Sequence, residues 1–209
     1  MSGDAIVHRA GLLVFEGCDL LDVGGPYEAL LTADRLLRRR GASHRIEVVT
    51  LGVGTPPLTS YGGLGLVPAL PAAASGDLDV LVVPGTIDID PALADTVLID
   101  TIRSLAARVP LVTSVCTGSF LLAAAGLLAG RTATTHHEDI DALAARDDVG
   151  AVRRGVRFVG DERIITAGGL ASGLMLGLHL VERLISRELA VATATQLEYP
   201  FEEHEGARS

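Results

Sequence analysis

A cysteine at the junction of a buried strand and a helix is the residue of this chain best placed for covalent chemistry. Val109-Pro-Leu-Val-Thr-Ser-Val115 reads as a short buried strand, and residues 117–128 read as a helix opened by small residues. Cys116 stands between them, in Ser114-Val-Cys-Thr-Gly-Ser119. A thiol there faces a helix N-terminus, whose unpaired N–H groups and dipole favour thiolate over thiol. A sharp strand-to-helix turn also leaves backbone donors beside the nucleophile, where a developing anion can use them. The plain alternative is a buried core cysteine, a common fate for this residue type.

Asp22 lies in Asp19-Leu-Leu-Asp-Val-Gly-Gly-Pro26, in the loop expected between the first strand and the first helix. From there it can face the same crevice as Cys116, share a proton with the thiol, and deliver that proton or position a water. It could equally do no more than satisfy backbone N–H groups ahead of Pro26. Asp19 is expected to face solvent. The N–H and hydroxyl of Thr117 are placed to meet an anionic intermediate, although a simple helix cap would use the same hydroxyl. The backbone N–H groups of Gly85-Thr86, ending another strand, could supply a second oxyanion donor.

His136-His137-Glu138-Asp139 lacks the His-Glu-x-x-His spacing of a metal site, and adjacent side chains rarely reach one ion together. A single imidazole from His136 near the crevice, as substrate contact or base, fits better. Cys18, with no helix start directly after it, reads as a passive thiol. His179 reads as a core or interface residue, and His8, His44 and His204 as surface residues. Gly52-Val-Gly54 and Gly63-Leu-Gly65 lack the third glycine of a dinucleotide fingerprint.

The elements that must hold these residues alternate. Gly11–Phe15, Arg45–Leu51 and Leu78–Val83 read as strands, with helices at 26–40 and 91–108, Pro26 being taken as the first turn of its helix. Past Cys116 come a short strand at 132–135, a short helix at 138–146, a hairpin around Gly160-Asp-Glu162, and one long helix from Gly168-Gly169 to about Thr195. Pro56–Pro68 is too rich in glycine and proline for a helix and reads as short strands or a hairpin. This order predicts an α/β fold in one domain, a doubly wound, mostly parallel sheet with helices on both faces. Sites in such sheets form at the carboxyl ends of the strands, where the first loop, Pro84-Gly85-Thr86, Cys116 and His136 all fall.

Composition narrows the chemistry. The 209 residues are 48% hydrophobic but only 3% aromatic, so the core is built from Ala, Val, Leu and Ile. All 17 basic residues are arginine, which excludes a Schiff-base lysine, a pyridoxal-phosphate lysine and a phosphate-loop lysine. A net charge of −9 argues against nucleic acid as a partner, the cluster Arg35, Arg38, Arg39 and Arg40 reading as a solvated helix end. The uncharged run from Leu111 to Gly130 is better explained as strand plus helix than as a membrane span. With two cysteines and no signal-peptide pattern, the expected setting is the reducing cytoplasm.

Several segments together resemble the ThiJ/PfpI superfamily, whose domain is glutamine-amidotransferase-like with a flavodoxin-type fold. They are Leu21-Asp-Val-Gly-Gly-Pro26, Val82-Val-Pro-Gly85, Thr113-Ser-Val-Cys-Thr-Gly-Ser119, Ala124–Gly130, Ala133-Thr-Thr-His136, Thr166–Gly173 and Gln196-Leu-Glu-Tyr199. Cys-Thr-Gly rather than Cys-His-Gly is similar to the isocyanide (isonitrile) hydratase branch and to the sensor domains of some AraC-type regulators. The resemblance implies that Cys116 attacks an isonitrile carbon to give a thioimidate. Asp22 then moves the protons and positions the water that releases an N-substituted formamide, and Thr117 with nearby N–H groups steadies the intermediate. It implies a small-molecule substrate, no metal or organic cofactor, and a homodimer, while the segment reading above leaves no membrane partner expected. The chain departs from the family where Thr86 replaces a second glycine and His137 an aromatic residue. A glyoxalase- or deglycase-type hydrolase and a non-catalytic redox or ligand sensor are the competing readings.

Overall fold

The computed structural model describes residues 5–200. In chain order the elements are β1 (Ile6–Val14), α1 (Leu20–Arg39), β2 (His44–Gly52), β3 (Leu58–Thr59), β4 (Gly65–Leu66), β5 (Leu70–Pro71), β6 (Val80–Val83), α2 (Ile89–Ala94) and α3 (Thr96–Ala106). Then follow β7 (Leu111–Ser114), α4 (Gly118–Ala124), β8 (Thr132–Ala133), α5 (Ile140–Ala144), β9 (Ala151–Val152), β10 (Phe158–Gly160), β11 (Ile164–Ala167), α6 (Ser172–Leu184) and α7 (Arg187–Gln196). The strands form a seven-stranded sheet in the order β10-β11-β7-β6-β1-β2-β5, parallel except for β10. All four residues of β6 and of β7 are buried, as central parallel strands covered on both faces require. Helices α1, α6 and α7 pack together, and α2, α3 and α4 form the second group. The expected doubly wound α/β fold in one domain is the fold observed.

Four adjacent parallel strands, β11, β7, β6 and β1, end side by side at one edge. The chain leaves β1 for β2 on one side while β6 lies on the other, so β1 and β6 flank the switch point where such sheets open a crevice.

Local signals moved several boundaries. Helix α1 begins at Leu20 rather than Pro26, because Asp19 caps it: its Oδ1 accepts from the Leu21 N–H at 2.9 Å. Asp19 is therefore a half-buried cap, not a solvent-facing residue. Pro26 lies inside the helix and has no N–H to offer the Asp22 carbonyl one turn back. It packs instead on α6, where a Cβ added to Gly177 would stand 3.0 Å from Pro26 Cα and 2.7 Å from Ala29 Cβ. The helix expected at 91–108 is two, divided at Asp95, whose Oδ1 accepts from Leu98 N at 3.0 Å. Ser186 divides the long C-terminal helix in the same way, its Oγ accepting from Leu189 N at 3.2 Å. The helix after Cys116 stops at Ala124, ahead of Gly126 in the left-handed region.

The uncharged segment 111–130 is thus strand β7 followed by a seven-residue helix, and among the described residues no helix is long and apolar enough to cross a membrane. His8 and His44 stack on each other with ring centroids 5.4 Å apart, and His179 stacks on Phe158 at 4.6 Å. His204 lies outside the described residues.

Candidate active site

Cys116 adopts φ +55°, the left-handed conformation that a non-glycine residue enters only when its surroundings demand it. Those surroundings are visible on both sides of its peptide. Its N–H donates to the Gly168 and Ala167 carbonyls at 2.9 and 3.2 Å. Its own carbonyl accepts from Thr135 Oγ1 at 3.0 Å and Ser119 Oγ at 3.2 Å. The end of β11 and the residues after β8 therefore clamp the elbow that presents the thiol.

The carboxyl of Asp22, on the first turn of α1, meets this elbow from the neighbouring strand end. Its Oδ2 accepts from Gly85 N at 2.9 Å, whereas Oδ1 is buried without a geometric hydrogen-bond partner. Burial pushes the Asp22 carboxyl up to about 7, with the Asp19 charge adding, against hydrogen bonding from the Gly85 N–H and the Cys116 thiol that pulls it down. The Cys116 thiol is pushed up to about 12, first by burial and then by the Asp22 charge, while the N–H groups of Thr117 and Leu170 pull it down. The expectation of a standing thiolate is thus corrected: α4 is only seven residues long, and burial outweighs its terminus. Two buried groups here compete for one proton, and the thiol becomes nucleophilic as Asp22 takes it.

The structure brings Cys116, Asp22, Thr117, Gly85 and Thr86 together but reassigns their donors. Gly85 N–H is spent on Asp22, and Thr86 N–H donates to Thr117 Oγ1 at 2.8 Å. Thr117 Oγ1 in turn donates to the Thr86 carbonyl at 2.6 Å, so its hydroxyl neither caps α4 nor faces a substrate. Gly85 and Thr86 therefore do not supply the second oxyanion donor. The donors beside the sulfur are the N–H groups of Thr117 and Leu170. Leu170 was not legible as a site residue; φ +36° behind Gly168-Gly169 turns its N–H towards the thiol, and the paired glycines were the only hint.

Gly85 earns its place by what it lacks. A Cβ there would stand 2.5 Å from Thr117 Oγ1, 2.7 Å from Thr117 N and 2.9 Å from Asp22 Oδ2. Gly85→Ala should accordingly lower stability by about 1–3 kcal/mol and, by displacing Asp22 from the thiol, cut turnover by about tenfold or more. Denaturant melts and initial rates check this; wild-type rates from a destabilised variant would show that the close approach serves folding alone.

His136 sits apart from the pair. No hydrogen bond joins it to Cys116 or Asp22 among the described residues; its Nδ1 lies 3.6 Å from Asp139 and 3.8 Å from Glu138. Its ring covers Gly169, where an added Cβ would fall 2.1 Å from His136 Cδ2. The imidazole thus reaches the site through the Gly169-Leu170 backbone and lines a neighbouring groove. Cys18 is fully buried, its thiol pushed up by burial, in the first loop.

Comparison with known proteins identifies the family. The sequence profile of the DJ-1/PfpI family matches residues 8–183. The isonitrile hydratase of Pseudomonas putida is 36% identical over 191 residues, 91% of this chain and 78% of that protein. The HTH-type transcriptional regulator CdhR of Pseudomonas aeruginosa is 36% identical over 68% of this chain, which spans 42% of the regulator. Among solved structures, a ThiJ/PfpI family protein from Pseudomonas syringae superposes with a TM-score of 0.81 at 30% identity, covering 99% of this chain and 81% of that one.

Proposed function

The chain belongs to the DJ-1/PfpI family, and from that premise we propose that it hydrates isonitriles, with Cys116 as nucleophile and Asp22 as proton carrier. The observation that carries the reading is the unpartnered Oδ1 of a fully buried carboxyl, held beside a thiol and tuned to about 7. Asp22 accepts the thiol proton as sulfur bonds to the terminal carbon of R–N≡C, then returns that proton to the same carbon, giving a thioimidate, R–N=CH–S. A water then adds to this carbon, with Asp22 taking one proton from it and passing it to nitrogen. The tetrahedral adduct collapses by breaking the C–S bond; the hydroxyl proton returns to sulfur through Asp22 and R–NH–CHO leaves. The sum is one isonitrile plus one water. The Thr117 and Leu170 N–H groups stabilise the sulfur while it carries charge.

The similarity to the Pseudomonas putida hydratase supports isonitrile as substrate. An aspartate at 22 and a threonine at 117 stand where glyoxalase-type relatives are expected to have glutamate and histidine. The test is a reaction with phenyl isonitrile in water enriched in oxygen-18. Formanilide should gain one heavy oxygen, and rapid quenching should trap protein heavier by the mass of the isonitrile, with the adduct mapped to Cys116. Absence of both product and adduct would sink the hydratase reading and favour a ligand sensor on the same fold.

A further inference from the structure

A groove of about 1030 Å³, bounded by residues 134–137, the turn at 154–157 and the start of α6, lies behind the residues that surround Cys116, without Cys116 or Asp22 in its own lining. Arg154 and Arg157 line it with the imidazoles of His136 and His137, and its lining holds no carboxylate, although Glu138 and Asp139 stand behind His136. Two guanidinium groups on one concave surface focus potential towards anions. Arg154 is already paired with Asp141, but the Arg157 guanidinium has no ion pair or hydrogen bond among the described residues. Phe158 supplies an apolar wall beside it, held by its stack on His179.

The groove is joined to the reacting centre by shared residues. Leu170, whose N–H faces the thiol, and Thr135, which donates to the Cys116 carbonyl, both belong to its wall. Gly168 N–H donates to the Arg157 carbonyl at 2.9 Å, which ties the turn carrying this guanidinium to the loop carrying Leu170.

We propose that this groove seats the substituent of the substrate and selects one that ends in a carboxylate, received by the Arg157 guanidinium. Only the identity of the reacting end rests on the hydratase reading; the groove itself asks for a small organic acid whose carboxylate meets Arg157.

Binding can be measured without turnover. In Cys116→Ala protein, calorimetric titration with N-formylglycine and with neutral N-formylglycinamide compares two ligands that differ in the terminal charge. The acid should bind about tenfold more tightly, a preference that shrinks with added salt. Adding Arg157→Gln should abolish the preference, and Arg157→Lys should restore part of it. Equal binding of the two ligands, or a preference that survives Arg157→Gln, would overturn the proposal. Turnover of isocyanoacetate by the wild type separates the two readings. Carboxylate-selective binding without formamide ends the hydratase assignment alone, and formamide without selective binding ends the groove assignment alone.

Discussion

Cys116→Ala should leave a folded protein that makes no formamide above background, a loss of about 10⁴-fold or more, because the reaction has no other nucleophile to open it. Folding should survive because the contacts that hold the elbow are backbone contacts. The Cys116 N–H still reaches the Gly168 and Ala167 carbonyls, and Thr135 still donates to the residue's carbonyl. The thiol is only 5% exposed, so its removal leaves a small void worth about 1 kcal/mol. Cys116→Ser fails as completely, since a hydroxyl does not surrender its proton to a carboxyl of about 7. Cys116→Gly, equally inactive, should unfold at a higher temperature than Cys116→Ala, because glycine accepts φ +55° without the strain of about 1–2 kcal/mol that a Cβ brings. Residual hydration by Cys116→Ala would move the nucleophile elsewhere.

Asp22→Asn carries the second large effect, and it is read in two independent measurements. Turnover should fall by about 10²–10⁴-fold, the usual worth of a positioned proton carrier. In the wild type, kcat/KM should rise with pH through about 7, where Asp22 first becomes able to accept the thiol proton, and then stay level through pH 9. The same carboxyl reports on folding. Its folded value of about 7 lies above the 3.8 of an unburied carboxyl, so the folded protein holds a proton that the unfolded chain releases. That stabilisation is complete below about pH 4 and is lost as pH rises through about 7, a swing of about 4 kcal/mol. Asparagine keeps an oxygen for the Gly85 N–H and has no proton to lose. Denaturant melts at pH 5 and pH 8 should therefore show the wild type losing about 2–3 kcal/mol that Asp22→Asn retains; parallel pH profiles would place the Asp22 charge in water rather than in the crevice.

Much of the positioning frame was legible because it rests on short-range patterns. Four-residue apolar runs such as Val80–Val83 have only a central parallel strand to occupy, and Cys116 between β7 and a run of small residues marked the elbow. Helix boundaries were misread wherever a cap competed with a proline or glycine signal. Asp19 outweighed Pro26, and Asp95 and Ser186 each cut one expected helix in two. At the site, residue types were readable but the destinations of their hydrogen bonds were not. Whether the Gly85 N–H faces a substrate or Asp22 depends on how β6 and α1 approach each other, and no local spacing encodes that. Leu170 and the basic groove escaped for the same reason, since β10, β11 and the start of α6 meet residues 134–137 only through the tertiary fold.

Thr86 is held at every polar atom. Its Oγ1 donates to the Gly17 carbonyl at 2.8 Å, its N–H and carbonyl both engage Thr117 Oγ1, and its backbone bridges Cys18. Three segments distant in sequence are thereby made to change as one unit. Valine at 117 would have nearly the same shape but would orphan both the N–H and the carbonyl of Thr86, whereas serine would keep them paired. The two positions are therefore coupled: losing the hydroxyl at 117 would require a new partner for both backbone groups of residue 86.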